Sequence, residues 1–396
     1  MQTVAVGALV ISRTGSATWA VLVAAGGFLP IGLLSPIGGA LADRLPRRLV
    51  LAGGNLISAL VAAAIAILIS AGHDSPATLV ALVTIQGSVA ALIGPFLQAI
   101  LPDLVPRSEF LAASSLNSAQ FNLGRIAGPA LAGLTVALLG YPAAFTANAI
   151  SFLAVVIALA FVRLVPPPGA TGRLLASLRA GLAAARAEPS CRAAIIVIGL
   201  VAFIAAPFIA LVPAMAQHLD GGGSTAIAGA TAVLTTAQGA GAVLGALVLA
   251  PLASWVGRGR LLGGSLAVLP LTLLGYAASS NLWIGAVTLF AVGTVYLSVL
   301  SGLSTVVQLH APQAFRGRVL SFFLVALGVA YPLGALVQGP VADQIGIGWM
   351  TAGSALLLAL VLGLLALLRP GLLRAVRGEP PASQDVSKAG DRLLTS

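Results

Sequence analysis

The chain has 396 residues, of which 59% are hydrophobic and only 8% are charged, and its formal net charge is +10. Soluble domains carry about 25% charged residues, so this composition excludes an ordinary water-soluble protein. The positive charge does not indicate a nucleic-acid-binding protein, because the arginines lie singly or in small groups between apolar runs.

Long apolar runs predict an all-α integral membrane protein, because a helix satisfies its own backbone polar groups in lipid. A short apolar stub comes first, at 4–12. Full spans follow in chain order at 18–41, 49–71, 77–101, 113–139, 142–162, 193–217, 226–252, 261–279, 282–307, 319–342 and 349–368. The stub is shorter than the ~20 residues of a spanning helix, so we expect a first helix truncated at the N-terminus. The alternative is eleven spans preceded by a short reentrant piece.

Loose internal correspondences divide the chain into two halves. Features such as Pro102 and Leu139-Gly140 recur at a similar offset as Pro312 and Ile345-Gly346. Repeats of this kind are common in transporters, and here they predict two six-helix bundles. The expected divisions are a transmembrane bundle at 1–163, a cytoplasmic connection with an amphipathic helix at 164–192, a second bundle at 193–368 and a disordered cytoplasmic tail at 369–396.

The distribution of basic residues predicts the orientation. With the loop at 42–48 set in the cytoplasm, only Arg13 of the 20 basic residues falls outside, and only Arg125 falls within a span. Cytoplasmic loops carry an excess of Lys and Arg. We therefore expect a multi-pass protein of the cell membrane with a cytoplasmic C-terminus.

The sharpest local pattern joins the first two full spans and reads Gly39-Ala40-Leu41-Ala42-Asp43-Arg44-Leu45-Pro46-Arg47-Arg48. Gly39 lets another helix approach closely. Asp43 stands at the negative C-terminal end of a helix, where it needs a basic partner or the N-terminus of another helix. The span 319–342 begins at the same membrane face, so Asp43 is expected to latch the two halves together. A cluster of loop charges that sets topology alone is the alternative.

This segment resembles the signature loop of the major facilitator superfamily, Gly-x-Leu-Ala-Asp-Arg-x-Gly-Arg-Arg, with Pro46 where the family usually has glycine. Three further segments are similar to the exporters called transmembrane secretion effectors: Arg13-Thr14-Gly15-Ser16-Ala17, Leu101-Pro102-Asp103-Leu104-Val105-Pro106 and Arg316-Gly317-Arg318-Val319. Siderophore exporters of the enterobactin type and macrolide efflux pumps are relatives of that group. The resemblance implies the major facilitator fold, alternating access and proton-coupled export.

A second motif lies in span 113–139 and consists of Gly124, Gly128, Pro129 and Gly133. Glycines four or five residues apart allow close helix packing, and the proline bends the helix. The pattern resembles the motif associated with antiporters of the superfamily, and a plain packing seam is the alternative. Arg125, which lies inside the motif, is interpreted as snorkelling or pairing in preference to binding substrate.

The substrate cavity is the third candidate site. By resemblance, the first, fourth, seventh and tenth helices line it, and their polar and aromatic candidates are Gln86, Gln98, Phe203, Phe208 and Tyr296. For each residue an ordinary interhelical contact is the alternative. No Asp or Glu lies in the middle of a predicted span, so we expect an amphipathic or apolar substrate.

The leading interpretation is a secondary transporter that exports a drug or a secondary metabolite. A siderophore exporter and a truncated, non-transporting membrane protein are the alternatives. The scattered histidines predict no metal site, and the sequence offers no nucleophile with its base and no phosphate loop, so we expect no enzyme activity. The expected partners of a monomeric protein are a small-molecule substrate, protons and the lipid bilayer, with no cofactor and no nucleic acid.

Overall fold

The computed structural model describes residues 2–42, 44–162 and 182–377. The helices of the first half are α1 (Gln2–Thr14), α2 (Ala17–Ala42), α3 (Arg47–Ser70), α4 (Pro76–Leu104) and the long element Phe110–Phe161, which comprises α5 and α6. Those of the second half are α7 (Pro189–Ile204), α8 (Val212–Asp220), α9 (Ser224–Val256), α10 (Arg258–Ala277), α11 (Leu282–His310), α12 (Arg316–Ile345), α13 (Ile347–Leu368) and α14 (Pro370–Arg377). Three short 3-10 helices join them at Arg107–Glu109, Ala206–Ile209 and Gln313–Phe315.

The element Phe110–Phe161 contains two helices, because its backbone breaks at Gly140, where φ is 80°. Only glycine adopts such a left-handed conformation readily. At 1.5 Å per residue the 52 residues measure about 78 Å, more than twice the ~30 Å of a bilayer core. We name the two arms α5 (110–139) and α6 (141–161), and they correspond to the predicted spans 113–139 and 142–162.

The predicted span 193–217 is wrong as one continuous helix. The chain instead forms α7, the 3-10 helix Ala206–Ile209 and α8. Pro207 and Pro213 explain the break, because proline has no amide hydrogen to donate to the preceding turn. A break in the helix is nevertheless compatible with a membrane, because residues 204–207 and 210–216 are all buried in protein and not exposed to lipid.

The end of the chain also differs from the prediction. Residues 370–377 of the expected disordered tail form α14, whose Val376 is only 1% exposed and which packs against α7, α10 and α13. The rest of the tail, 378–396, lies outside the described residues. So does most of the expected amphipathic connection, of which residues 182–187 are described and helical.

The helices have the length and composition of membrane spans. Within the described ranges, nine helices are long and apolar enough to cross a bilayer, and Val4–Thr14 and Pro189–Ile204 are shorter apolar helices. Large apolar side chains such as Leu138, Leu247 and Leu367 are about three-quarters exposed, as lipid-facing residues are. The chain is therefore a multi-pass α-helical membrane protein.

Successive spans run in opposite directions, with α7 and α8 counted as one broken span, and they define two faces of the molecule. We call the face that holds the loops at 44–46, 105–109, 257 and 311–315 the arginine-rich face. The opposite face holds the turns at 15–16, 71–75, 140, 221–223 and 346, and we call it the arginine-poor face. Between the two halves of the chain, α2 packs against α12, and the Phe110–Phe161 element packs against α9.

Candidate transport pathway between the two halves

The arginine-poor face is closed by a carboxylate from one half that caps a helix of the other. Asp343, in the last turn of α12, accepts hydrogen bonds from the backbone N–H groups of Ala17 (2.5 Å) and Thr18 (3.1 Å) at the start of α2. The hydroxyls of Ser16 (2.6 Å) and Thr18 (2.5 Å) also donate to this carboxylate. Hydrogen bonds to a charged group are the strong kind, so this contact holds the two halves together.

Further contacts between the halves lie on the same side of the molecule. The Tyr141 hydroxyl, just after the α5–α6 break, donates to the carbonyl of Ser224 at 3.1 Å. A methyl group at Gly133 of α5 would overlap the side chain of Ala232 in α9. At Gly339 of α12 it would overlap Val21 of α2. The glycines therefore allow the helices of the two halves to approach closely here.

The arginine-rich side is open by comparison. From 115 to 124, in the part of α5 nearer the arginine-rich face, every residue whose side chain is described is exposed, on all sides of the helix. Leu116 is 71% exposed and Phe121 is 68% exposed. In α9, every residue from 251 to 256 except Ala253 is exposed, although α9 packs against α5 near Gly133. The two helices therefore meet near the arginine-poor face and separate toward the other.

Aromatic rings fill the middle of the interface. Phe28 of α2 meets Tyr331 of α12 edge to face, with ring centroids 5.4 Å apart. Phe208, in the break between α7 and α8, meets Tyr296 of α11 in the same way at 5.7 Å. The first pair joins the two halves, and the second lies within the second half. We call these residues the aromatic cluster.

The structure brings two of the five predicted cavity residues into this cluster. Phe208 and Tyr296 belong to it and are both buried. Phe203 is 40% exposed on α7, and Gln98 is exposed near the arginine-rich end of α4. Gln86 is half-buried in α4, and its Oε1 has no hydrogen-bond partner among the described residues.

Sequence reasoning missed Phe28, Tyr331 and Asp343. The cavity residues were sought on the first, fourth, seventh and tenth helices, whereas these three lie on α2 and α12. The sequence did contain one signal for the two aromatic residues. Gly32 and Gly328 lie near them, and α2 and α12 approach each other closely at these glycines.

The signature loop holds together the ends of three helices. Asp43 lies outside the described residues, and Arg44 is exposed in the loop. Arg47 donates to the carbonyl of Ala99 near the end of α4 at 3.0 Å, and Arg48 donates to that of Ala160 at the end of α6 at 2.7 Å. Ala160 lies in the last turn of α6, where a guanidinium group satisfies a carbonyl without an intrahelical partner and complements the helix dipole.

The close approach expected at Gly39 occurs one residue earlier. A methyl group at Gly38 would lie 2.6 Å from the carbonyl oxygen of Leu92 in α4, whereas one at Gly39 would meet no described atom within 4 Å. In the antiporter-like motif, Pro129 is buried, Gly128 is half-buried and Gly133 packs against α9. A methyl group at Gly124 would meet no described neighbour, and the side chain of Arg125 lies outside the description.

Two cavities lie away from the aromatic cluster. One of about 340 Å³ lies between α10, α13 and α14, where residues such as Gly263, Ala267 and Gly363 leave space on the flank of the molecule. The other, of about 290 Å³, lies at the arginine-poor face and is lined by Asp343, His218 and Gln217 among others. Over the described part of the chain, no group of three or more His, Cys, Asp or Glu residues is arranged to hold a metal ion.

The fold defines the class of the protein. It resembles a solved structure of a mutant of the nucleoside transporter NupG, with a TM-score of 0.69 at 16% identity, over 91% of this chain and 94% of that one. The chain is an integral membrane protein with the major facilitator fold. It also matches the family model described as transmembrane secretion effector over residues 1–381, and it belongs to that family.

Curated relatives extend over most of the chain. The multidrug efflux pump Tap of Mycolicibacterium fortuitum is 30% identical over 92% of this chain and 90% of its own length. The macrolide efflux protein A of Streptococcus pyogenes is 25% identical over 88% and 87%. The staphyloferrin A transporter of Staphylococcus aureus is 26% identical over 81% and 79%. The family and these relatives are transporters, and the chain is not an enzyme.

Proposed function

We propose that this chain exports a small amphipathic molecule across the cell membrane by alternating access, with protons as the coupling ion. The observation that carries the proposal is the interface between the halves, closed at the arginine-poor face and open toward the arginine-rich face. The positive-inside rule assigns the arginine-rich face, and with it the C-terminus, to the cytoplasm. The described conformation is then inward-open, ready to receive a molecule from inside the cell.

The aromatic cluster supports the substrate class. Aromatic rings offer a large apolar contact area, and the two tyrosines add hydroxyl groups for hydrogen bonding. In the sequence, no charged residue lies near the middle of α2, α4, α7, α11 or α12. A site of this composition favours an amphipathic or apolar molecule, because a strongly charged one would leave its charge unpaired. The similarity to a multidrug efflux pump and a macrolide efflux protein supports the same class and the direction of export.

Transport by inside-out membrane vesicles tests the proposal. An amphipathic fluorescent dye and a macrolide serve as probes, and an imposed proton gradient, acidic in the lumen, drives uptake. We expect uptake that a protonophore abolishes and that vesicles without the protein do not give. Uptake that survives the protonophore would contradict proton coupling. If neither probe is taken up under any gradient, the protein is not an exporter of this class.

A siderophore exporter is the second candidate, and the similarity to the staphyloferrin A transporter favours it. The same vesicles distinguish the two candidates when an iron-free siderophore replaces the dye. Uptake of the siderophore without uptake of dye or macrolide would support the second candidate over the first.

A further inference from the structure

Asp343 occupies a position that is unfavourable within its own helix. It lies in the last turn of α12, where the helix dipole presents its negative end. A carboxylate there needs positive partners from elsewhere. It finds them at the start of α2, where two backbone N–H groups without intrahelical acceptors and two hydroxyls all donate to it.

The start of α2 needs this carboxylate in return. Its first turn contains no acidic residue, and the hydroxyl of Ser16, which precedes the helix, donates to Asp343. The cap of a helix in the first half is therefore supplied by the second half. Such a cap can exist only while the arginine-poor ends of α2 and α12 are together.

The residues before Asp343 bring the two helices into contact. Gly339 lies one turn earlier, against Thr18 and Val21 of α2, and Ala342 is buried. A cavity of about 290 Å³ beside the carboxylate leaves space at this face. The carboxylate therefore lies at the solvent-exposed edge of the contact between α2 and α12.

We infer that Asp343 is the latch of the outer gate. Asp343 caps α2 while the outer face is closed, and this cap is lost when the two ends separate. The inference rests on the alternating access proposed above. It assigns to Asp343 the stabilisation of the state in which the outer face is closed.

Accessibility of a buried cysteine tests the latch without any substrate. Cys191 is the only cysteine and is replaced by serine, and Val21→Cys becomes the reporter, because Val21 is fully buried between α2 and α12 in the closed state. A membrane-impermeant maleimide is applied from outside. We expect Asp343→Asn to speed labelling about tenfold, the change expected when a hydrogen-bonded charge is lost.

Asp220→Asn is the matched control, because Asp220 is an exposed acid at the end of α8 on the same face. It should leave the rate unchanged. Equal rates in the Asp343 and Asp220 variants would overturn the inference. If Asp343→Asn does not reach the membrane, Thr18→Val, which removes one donor, should still raise the rate, and an unchanged rate there overturns the inference too. A wild type that fails to transport would instead contradict the proposed function, because labelling requires no transport.

Discussion

At the scale of single residues, the centre of the interface depends on rings and not on charges. Phe28 and Tyr331 join the halves, while Phe208 and Tyr296 form a second pair within the second half. Aromatic pairs in this geometry contribute about 0.5–1.5 kcal/mol beyond the area they bury. Tyr331 belongs to the pair that joins the halves and also carries a hydroxyl, so it is the position where a substitution is most informative.

Replacing Tyr331 by Leu should weaken transport more than replacing it by Phe. Leu removes the ring that meets Phe28, and we expect the KM for the dye to rise about 2- to 12-fold, whereas Phe keeps the ring and should change it less than about 2-fold. Uptake into inside-out vesicles at varied dye concentration measures both. Equal effects of Leu and Phe would mean that the hydroxyl, and not the ring, makes the contact.

Gln338 has a structural role that a substitution can isolate. It is 7% exposed, and its Nε2 donates to the carbonyls of Phe203 (3.3 Å) and Ile204 (2.9 Å), which the break after α7 leaves without helical partners. Gln338→Leu should therefore destabilise the protein by roughly 1–3 kcal/mol and lower its melting temperature in detergent by a few degrees.

The same change at Gln313 serves as the control, because that side chain is exposed. It should leave the melting temperature close to that of the wild type. If the Gln338→Leu protein has the same melting temperature as the control, other groups satisfy the two carbonyls.

At the scale of helices, the contact between α5 and α9 distinguishes two glycines of one motif. A methyl group at Gly133 would overlap Ala232, whereas a methyl group at Gly124 would meet no described atom within 4 Å. Alanine is preferred over glycine inside a helix by about 1 kcal/mol. The two substitutions to alanine should therefore have opposite signs.

Gly133→Ala should lower the melting temperature in detergent, because α5 and α9 must move apart, and Gly124→Ala should raise it slightly. Each variant is the control for the other, since both make the same change in the same helix. Melting temperatures that move in the same direction would contradict the packing role of Gly133.

Most helices could be predicted from the sequence, because a long apolar run in lipid has almost no alternative to a helix. The break at Ala206–Ile209 was missed since an apolar run does not reveal how two prolines, Pro207 and Pro213, divide it. The helix at 370–377 was missed because its stability comes from Val376 packing against other helices, which a local pattern does not show. Candidate site residues were harder still. Asp343 becomes meaningful only when α2 stands opposite α12, which is a property of the fold.

At the scale of the whole molecule, the two faces differ in charge and in packing. At the arginine-rich face, Arg47 and Arg48 donate to carbonyls of α4 and α6, and at the arginine-poor face Asp343 caps α2. The difference in charge predicts the orientation in the membrane. The difference in packing indicates a conformation that is open toward the arginine-rich face.

Reporter fusions test the orientation. A reporter fused after Arg260 should read as cytoplasmic, and one placed within 221–223 should read as external, because the arginine bias assigns these positions to opposite sides. Each fusion is the control for the other, since both reporters are carried by the same protein in the same membrane. Two reporters on one side would invalidate the assignment.

Distances between spin labels at the two faces, measured with and without substrate, test alternating access most directly. At the arginine-rich face the labels replace Leu116 of α5 and Leu247 of α9, which are 71% and 70% exposed. At the arginine-poor face they replace Leu139 and Ser224, which lie at the ends of α5 and α9 near the contact of Tyr141 with Ser224. We expect populations in which the distance at the arginine-rich face shortens as the distance at the arginine-poor face lengthens. Distances that stay fixed, or that change in the same direction at both faces, would contradict the account.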